Sequence, residues 1–271
     1  MFQKVLISAS ELRNNFQDKV IFDCRYRLTD PNYGKMKYEE GHIPGSCFMD
    51  LNEHMASKPG KTGGRHPLPD LKKFKFRLEE AGMDKTKGAV CYDDNLSGAA
   101  RMWFLLRLIG NEDVLVLNGG FEGWIKLGFP VEVGDNRESQ HGQVNVHINR
   151  SILATHEDVI DSKGKYKIID AREVYRYNGE SEPIDRFPGR IPGAINIPYT
   201  ELMEDGKLKD VESLKEYFKD IGDGDIIYCG SGVTSCVNFL AMEELGIRPR
   251  LYLGSYSDWI SRNLEVARTE K

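Results

Sequence analysis

An internal repeat is the feature that most constrains how this chain folds. Four short blocks in the first half of the 271 residues recur, in the same order, in the second half. The matched blocks are residues 20–25 with 167–172, 41–45 with 190–193, 89–93 with 225–229, and 118–124 with 253–259. The repeat predicts two domains of one fold, and a hydrophobic content of 40% is enough to build both cores.

The spacing between matched residues changes along the repeat. Asp23 and Asp170 are 147 residues apart, whereas Asp93 and Cys229 are 136 residues apart. The first half therefore carries about a dozen extra residues. We assign them to residues 55–70, whose glycines and prolines predict a surface loop.

Each half alternates short apolar runs with amphipathic segments. This alternation predicts an α/β fold in which each domain is a parallel sheet covered by helices on both faces. Strands are predicted near residues 20–23, 47–49, 88–92 and 114–117, and near 167–170, 194–197, 225–228 and 250–253. The polar stretch between the halves predicts a linker at residues 133–150, which separates domain 1–132 from domain 151–271.

A candidate active site follows the third of these strands in the second half. The strand ends at Cys229, a loop with Gly230 and Gly232 follows, and helical periodicity begins at Val237. Such a loop turns successive N–H groups toward one point, where the positive end of the helix dipole also favours an anion. A thiol at that point has a pKa below its usual value of about 8.5, so Cys229 is predicted to be a thiolate nucleophile.

The first half lacks this nucleophile. Asp93 stands at the position that matches Cys229, and residues 94–97 contain no glycine. Both residues are expected at the carboxyl ends of parallel strands, where ligands bind in open sheets. We therefore predict that the first domain is a partner of the second and not a second active site.

Composition excludes several classes of partner. The net charge is −5, and no basic patch or polybasic run predicts binding to nucleic acid or to a membrane surface. Residues 102–109 are apolar but too few to span a bilayer, and the N-terminus lacks a signal-peptide core, so we expect a cytoplasmic protein. The five cysteines show no disulfide or metal-ligand spacing, and we expect no metal and no cofactor.

Taken together, the repeated blocks resemble two-domain sulfurtransferases of the rhodanese superfamily. The resemblance covers nearly the whole chain and is carried by four motifs. These are H-I-P-G at residues 42–45, D-A-R at 170–172, I-P-G-A-I-N-I-P at 191–198, and N-G-G-F-x-G-W at 118–124. The resemblance implies two similar α/β domains, an inactive N-terminal copy, and a C-terminal copy whose cysteine carries a persulfide.

The loop C-G-S-G-V-T, beginning at Cys229, is similar to that of members that use 3-mercaptopyruvate. Members that use thiosulfate typically have basic residues directly after the cysteine. The resemblance implies that Cys229 takes sulfur from 3-mercaptopyruvate, or less efficiently from thiosulfate, and passes it to thioredoxin, a small thiol or cyanide. We expect the N–H groups of Gly230, Gly232, Val233 and Thr234 to hold the anionic sulfur.

Two arginines are candidates for binding the carboxylate of such a donor, because Arg binds carboxylates bidentately. Arg176 and Arg186 match family positions that hold the carboxylate and the carbonyl group of the substrate, with one extra residue between them here. Arg172, beside a strand end, is expected to pair with a buried carboxylate.

The resemblance also implies a relay of serine, histidine and aspartate that protonates the enolate left when sulfur departs. Ser231 and His42 match the first two positions, and Asp30 is the nearest candidate for the third. His42 and Ser231 lie in different halves, so this relay would place the site in the interdomain cleft. A turn histidine that bonds its own backbone is the alternative for His42, and His66 in the extra loop is a weaker candidate.

Other functions stay open at this point. A thiosulfate:cyanide sulfurtransferase would use the same nucleophile with a different donor. A cysteine-based phosphatase shares the strand, loop and helix, but it needs an arginine at the end of a longer loop, and residues 234–237 contain none. A non-catalytic rhodanese-like binding module fits residues 1–132 but not residues 151–271.

Overall fold

The computed structural model describes residues 4–14, 19–134 and 141–269. They form two five-stranded parallel sheets, one in each half of the chain, with helices on both faces. The predicted α/β fold with two tandem domains is therefore confirmed. Part of the predicted linker, residues 135–140, lies outside the described residues, and the domain boundaries stay a prediction.

The first sheet is built from residues of the first half alone. Its strands are β1 (Leu6–Ile7), β2 (Lys19–Asp23), β3 (Cys47–Phe48), β4 (Gly88–Tyr92) and β5 (Val114–Leu117). Its helices are α1 (Ala9–Asn14), α2 (Tyr33–Glu40), α3 (Leu71–Glu80), α4 (Ser97–Leu108) and α5 (Gly120–Lys126). The strand order is β1-β5-β4-β2-β3, so β4 is the central strand.

The second sheet repeats this plan. Its strands are β6 (Leu153–Ala154), β7 (Ile168–Asp170), β8 (Ile195–Asn196), β11 (Ile226–Tyr228) and β12 (Arg250–Tyr252), and β9 (Met203–Glu204) and β10 (Lys207–Leu208) form a separate antiparallel pair. Its helices are α6 (His156–Asp161), α7 (Val174–Asn178), α8 (Val211–Phe218), α9 (Ser235–Glu244) and α10 (Ser255–Ser261). The order β6-β12-β11-β7-β8 places β11 at the centre. In the described part of the chain, no helix is long and apolar enough to cross a membrane.

The two central strands, β4 and β11, are buried along their whole length. Both are continuous apolar runs, as expected for strands covered on both faces by helices. Beside each of them, a strand ends in a buried ion pair. Arg172 bonds Asp170 at 2.5 Å, as expected for a structural arginine, and Arg25 bonds Asp23 in the same way in the first domain.

The domains pack against each other through α4 and α9. The ring of Phe239 lies 5.2 Å from that of Phe104 and 6.0 Å from that of Trp103, and buried apolar residues of both halves form one cluster. Because α4 and α9 follow the central strands, this interface begins at the carboxyl ends of both sheets. It therefore lies beside the place where ligands bind in parallel sheets.

The extra residues 55–70 differ from the surface loop that the sequence predicts. Their tip is exposed, but the flanking residues are buried or half-buried. Gly63 N–H donates to Asp258 Oδ1 (2.6 Å), and Arg65 N–H donates to Ser257 Oγ (3.1 Å), so the segment reaches the second domain. Glycines and prolines predict irregular backbone but not what that backbone packs against. We call residues 55–70 the bridging loop.

Candidate active site

Cys229 directly follows β11, and it is buried. Its sulfur accepts a hydrogen bond from Gly232 N–H at 3.2 Å, and α9 begins a few residues later with its N-terminus toward the loop. Burial opposes ionisation, but the nearby Ser235 and Thr234 hydroxyls and the loop N–H groups favour the charged sulfur and outweigh it. The pKa of Cys229 therefore lies below the usual value for a thiol, and the thiolate is favoured.

The shape of this loop depends on two glycines. Gly232 has a φ of +76°, and a Cβ on it would lie 2.2 Å from the carbonyl oxygen of Leu253. A Cβ on Gly230 would lie 2.9 Å from Nη2 of Arg65. A side chain at either position would displace backbone or a guanidinium group next to the nucleophile.

The start of α10 holds the carbonyl groups of the same loop. Tyr256 N–H donates to the carbonyl oxygen of Cys229, and Ser257 N–H donates to that of Gly230, both at 2.9 Å. The hydroxyl of Ser257 also accepts the N–H of Arg65. One serine therefore joins the nucleophile loop to the bridging loop of the first domain.

Ser231 bonds a histidine of the first domain. Its Oγ lies 2.8 Å from Nδ1 of His66 in the bridging loop. Burial lowers the pKa of His66 to about 4, and the positive charges of Arg101 and Arg65 act in the same direction. His66 is therefore a neutral imidazole at neutral pH, which allows it to exchange a proton with Ser231.

A buried arginine connects the two loops from the interface. Arg101 in α4 donates to the carbonyl oxygens of Gly232 (2.9 Å), His66 (3.1 Å), Met55 (3.2 Å) and Pro67 (3.3 Å). No ion pair to Arg101 occurs among the described residues, and burial lowers its pKa. A charged residue at the start of the apolar run of α4 was the only sequence signal for this role.

Two guanidinium groups, one from each domain, lie beside the nucleophile loop. Arg176 in α7 is buried and bonds Glu182 (2.9 Å) and Asp185 (3.2 Å). Nη1 of Arg65 pairs with the same Asp185. Nη2 of Arg176 lies 3.2 Å from the position of a Cβ on Gly230, close to Nη2 of Arg65. The predicted carboxylate-binding residue is thus at the site, next to an arginine that the sequence did not single out.

His42 lies in another environment. Its Nδ1 is 2.7 Å from the carbonyl oxygen of Tyr38, its ring stacks on Tyr38 at 3.9 Å, and its Nε2 is 3.7 Å from Glu132. These are contacts of a turn histidine within the first domain, the alternative considered from the sequence. The histidine that bonds Ser231 is His66, because the bridging loop carries it to the second domain.

Asp30 and Arg186 have partners other than the nucleophile loop. Asp30 accepts the N–H of Asn32 at 3.0 Å, and it lines a cavity of about 90 Å³ together with His66. Arg186 is exposed, and its guanidinium lies over the ring of Phe187 at 4.9 Å. A role for either residue in the reaction stays a prediction.

The assembled site contains a stabilised thiolate, a serine–histidine pair and two guanidinium groups at the interdomain interface. This set suits nucleophilic attack on an anionic donor, followed by a proton transfer. In residues 4–14, 19–134 and 141–269, no group of three or more His, Cys, Asp or Glu side chains is arranged to hold a metal ion.

The sequence model of the rhodanese-like domain matches this chain twice, over residues 8–127 and 155–262. The two matches cover four of the five strands of each sheet and the loop that contains Cys229. The chain therefore belongs to the rhodanese family, with two rhodanese-like domains.

Curated relatives match along nearly the whole chain. The probable 3-mercaptopyruvate sulfurtransferase of Pseudomonas aeruginosa is 38% identical, over 94% of this chain and 95% of its own length. The 3-mercaptopyruvate sulfurtransferase of Escherichia coli K12 is 37% identical, with the same two coverages. The putative thiosulfate sulfurtransferase SseB of Mycobacterium tuberculosis H37Rv is 34% identical, over 95% of this chain and 94% of its own. Relatives of this kind show that the protein is an enzyme of the sulfurtransferase class.

Solved structures show the same architecture. The crystal structure of SseA from Escherichia coli, titled a 3-mercaptopyruvate sulfotransferase, superposes with a TM-score of 0.82 at 33% identity, over 94% of this chain and 100% of that one. The 3-mercaptopyruvate sulfurtransferase from Leishmania major gives a TM-score of 0.83 at 29% identity, over 94% of this chain and 74% of that one. The agreement extends over both domains.

Proposed function

We propose that the enzyme transfers sulfur from 3-mercaptopyruvate to a thiol or cyanide acceptor through a persulfide on Cys229. One observation carries the proposal: Ser231, in the nucleophile loop, is hydrogen-bonded to His66 of the other domain. A donor whose carbon fragment must be protonated needs such a pair, whereas thiosulfate does not. The names of the relatives from Pseudomonas aeruginosa and Escherichia coli support the same donor.

In the first step, the Cys229 thiolate attacks the sulfur of 3-mercaptopyruvate. A sulfur–sulfur bond forms, the carbon–sulfur bond breaks, and its electron pair stays on carbon as the enolate of pyruvate. The N–H of Gly232 and the Thr234 and Ser235 hydroxyls, which favour the thiolate, also favour the persulfide anion.

Protonation of the enolate completes this half of the reaction. The donor loses one proton from its thiol, and the enolate gains one proton on carbon. No net proton is consumed, so the step needs only a group that carries the proton from sulfur to carbon. Ser231 is two residues from the nucleophile, and His66 bonds its hydroxyl as a neutral base. Ser231 gives its proton to the enolate, and His66, having taken up the thiol proton, restores it.

Arg176 is proposed to bind the donor carboxylate. Its guanidinium is held by Glu182 and Asp185, which fixes its orientation before the donor arrives. Arg186 was predicted to contact the donor carbonyl, and from its place over Phe187 it would have to turn inward to do so.

In the second step, an acceptor attacks the outer sulfur of the persulfide and restores the Cys229 thiolate. Thioredoxin, a small thiol and cyanide are the proposed acceptors. All five cysteines of the chain are free thiols, which suits a reducing compartment such as the cytoplasm.

The test is donor turnover by the purified enzyme. With 3-mercaptopyruvate and dithiothreitol as acceptor, we expect pyruvate release, and with thiosulfate and cyanide we expect thiocyanate at a lower kcat/KM. Hydrolysis of p-nitrophenyl phosphate is the control and should be absent. A higher kcat/KM for thiosulfate than for 3-mercaptopyruvate would contradict the donor assignment.

A further inference from the structure

The bridging loop brings a cation from the first domain to the nucleophile. Its backbone is fixed on α10, where Gly63 and Arg65 donate to side chains of Asp258 and Ser257. Gly64 allows this close approach, because a Cβ on it would lie 2.4 Å from the carbonyl oxygen of Gly254. The position of Arg65 is therefore set by the second domain, although the residue belongs to the first.

The Arg65 side chain ends beside the residue that follows Cys229. Nη1 pairs with Asp185, and Nη2 lies 2.9 Å from the point where a Cβ of residue 230 would be. The guanidinium thus takes the space that a side chain on Gly230 would occupy. A cation here reaches the same location as a basic residue placed on the loop itself.

Arg65 also has fewer carboxylate partners than Arg176. Arg176 is paired with Glu173, Glu182 and Asp185. Arg65 has Asp185 as its carboxylate partner among the described residues, and its side chain keeps 30% of its surface exposed. Its remaining N–H donors are therefore open to a ligand that enters the cleft.

The two donors differ in charge, and this difference determines which of them needs Arg65 in addition to Arg176. A monoanionic carboxylate needs one guanidinium, which Arg176 provides. A thiosulfate dianion approaching the Cys229 thiolate brings like charges together in a buried site, and this repulsion requires a further positive charge.

We propose that Arg65 binds the doubly charged head of thiosulfate and so gives this sulfurtransferase its activity toward that donor. The inference rests on the proposed function, because it needs the Cys229 persulfide. The thiolate attacks the outer sulfur of thiosulfate, a new sulfur–sulfur bond forms, and the sulfur–sulfur bond of the donor breaks. Sulfite leaves with that electron pair, no proton is transferred, and Arg65 faces the charge that grows on the sulfite oxygens.

The test compares two donors in four proteins: wild type, Arg65→Gln, Arg65→Lys and Lys61→Gln. Arg65→Gln should lower kcat/KM for thiosulfate by about 30-fold and for 3-mercaptopyruvate by about 3-fold or less, the order expected for losing one charged hydrogen bond. Arg65→Lys keeps a positive charge and should recover part of the thiosulfate activity. Lys61→Gln removes one positive charge from the exposed tip of the same loop, and both donors should stay within about 2-fold of wild type.

Three outcomes would overturn the inference. The first is no thiosulfate turnover by the wild type, and the second is unchanged thiosulfate turnover in Arg65→Gln. The third is an equal loss with both donors in Arg65→Gln, which would indicate a purely structural role. Failure of the proposed function is separate, because the wild type would then release no pyruvate from 3-mercaptopyruvate. Thermal unfolding of each variant, measured alongside, checks that the domains remain docked.

Discussion

The loops after β4 and β11 have the same strand-and-helix setting but hold different acidic groups. In the first domain, the Asp93 carboxyl group, whose pKa burial raises to about 7, fills the loop and accepts hydrogen bonds from four main-chain N–H groups. The donors are Asn95 (3.2 Å), Leu96 (2.7 Å), Gly98 (2.7 Å) and Ala99 (3.2 Å). In the second domain, the Cys229 sulfur occupies that place and accepts the N–H of Gly232. In the first loop, the main-chain N–H groups bind the Asp93 side chain of the loop itself. In the second loop, they can bind the reacting sulfur of Cys229.

A second difference is that the first domain supplies residues to the active site of the second domain. The first domain carries the bridging loop between β3 and α3, whereas the corresponding connection of the second domain, between β8 and α8, is shorter and contains the β9–β10 pair. That loop delivers His66 to Ser231 and Arg65 to the space beside Gly230, while Arg101 fixes both loops. The copy without a nucleophile therefore provides a base and a cation to the copy that has one.

The largest expected effect comes from replacing Cys229, the residue that distinguishes the second loop from the first. Cys229→Ser should lower sulfur transfer by roughly 10⁴-fold or more with both donors, because a hydroxyl is not ionised at neutral pH and forms no persulfide. Pyruvate and thiocyanate assays measure the loss, and circular dichroism checks the fold. Turnover near that of the wild type would show that Cys229 is not the nucleophile.

The contribution of the first domain is tested by its histidines. His66→Ala should lower kcat/KM for 3-mercaptopyruvate by roughly 100-fold, the usual size of a lost acid–base group, and affect thiosulfate less, since no enolate forms. His42→Gln is the matched control, because His42 contacts Tyr38 and Glu132 in its own domain. If His42→Gln reduced pyruvate release and His66→Ala did not, the relay would run through His42.

Arg176→Ala should weaken the use of 3-mercaptopyruvate by about 2 kcal/mol, or roughly 30-fold in kcat/KM. The change also removes one of the two arginines that pair with the buried Glu182 carboxylate, leaving Arg172, so Arg176→Lys and thermal unfolding are measured in parallel. Lys209→Ala removes a half-buried lysine whose Nζ donates to the Tyr217 hydroxyl at 3.1 Å, and it should have little effect on donor use. Equal losses in Arg176→Ala and Lys209→Ala would mean that Arg176 does not bind the donor.

The smallest catalytic effect is expected in the first loop. Asp93→Ala should leave kcat/KM within about 3-fold of wild type, yet lower the free energy of unfolding by about 2 kcal/mol, because buried N–H groups lose their acceptor. Urea denaturation and the pyruvate assay separate the two effects. A large loss of activity at unchanged stability would place Asp93 in the reaction and remove the contrast between the loops.

Local sequence patterns were sufficient for most of the fold. All eight predicted strands are present within one or two residues, because continuous apolar runs between turn residues identify buried strands. The strands β1, β6, β9 and β10, each of two residues, were missed. The position of Cys229 was visible because a strand, a glycine loop and a helix adjoin in the chain.

The rest of the site could not be predicted in this way. His66 and Ser231 are 165 residues apart, and Arg65 and Asp185 are 120 apart. Their contacts depend on the docking of two domains, which leaves no local pattern in the bridging loop. For the same reason, the sequence indicated Arg176 and Arg186, in the same half of the chain as Cys229, and gave no signal for Arg65.

The most direct measurement of the central claim is the mass of the intact enzyme after exposure to 3-mercaptopyruvate without an acceptor, with the modified residue located by peptide mapping. We expect one added sulfur atom, on Cys229, and removal of that sulfur by cyanide. Cys236, whose pKa burial raises to about 12, should stay unmodified. Pyruvate release without added sulfur on Cys229, or sulfur on Cys24, Cys47, Cys91 or Cys236 instead, would contradict the account.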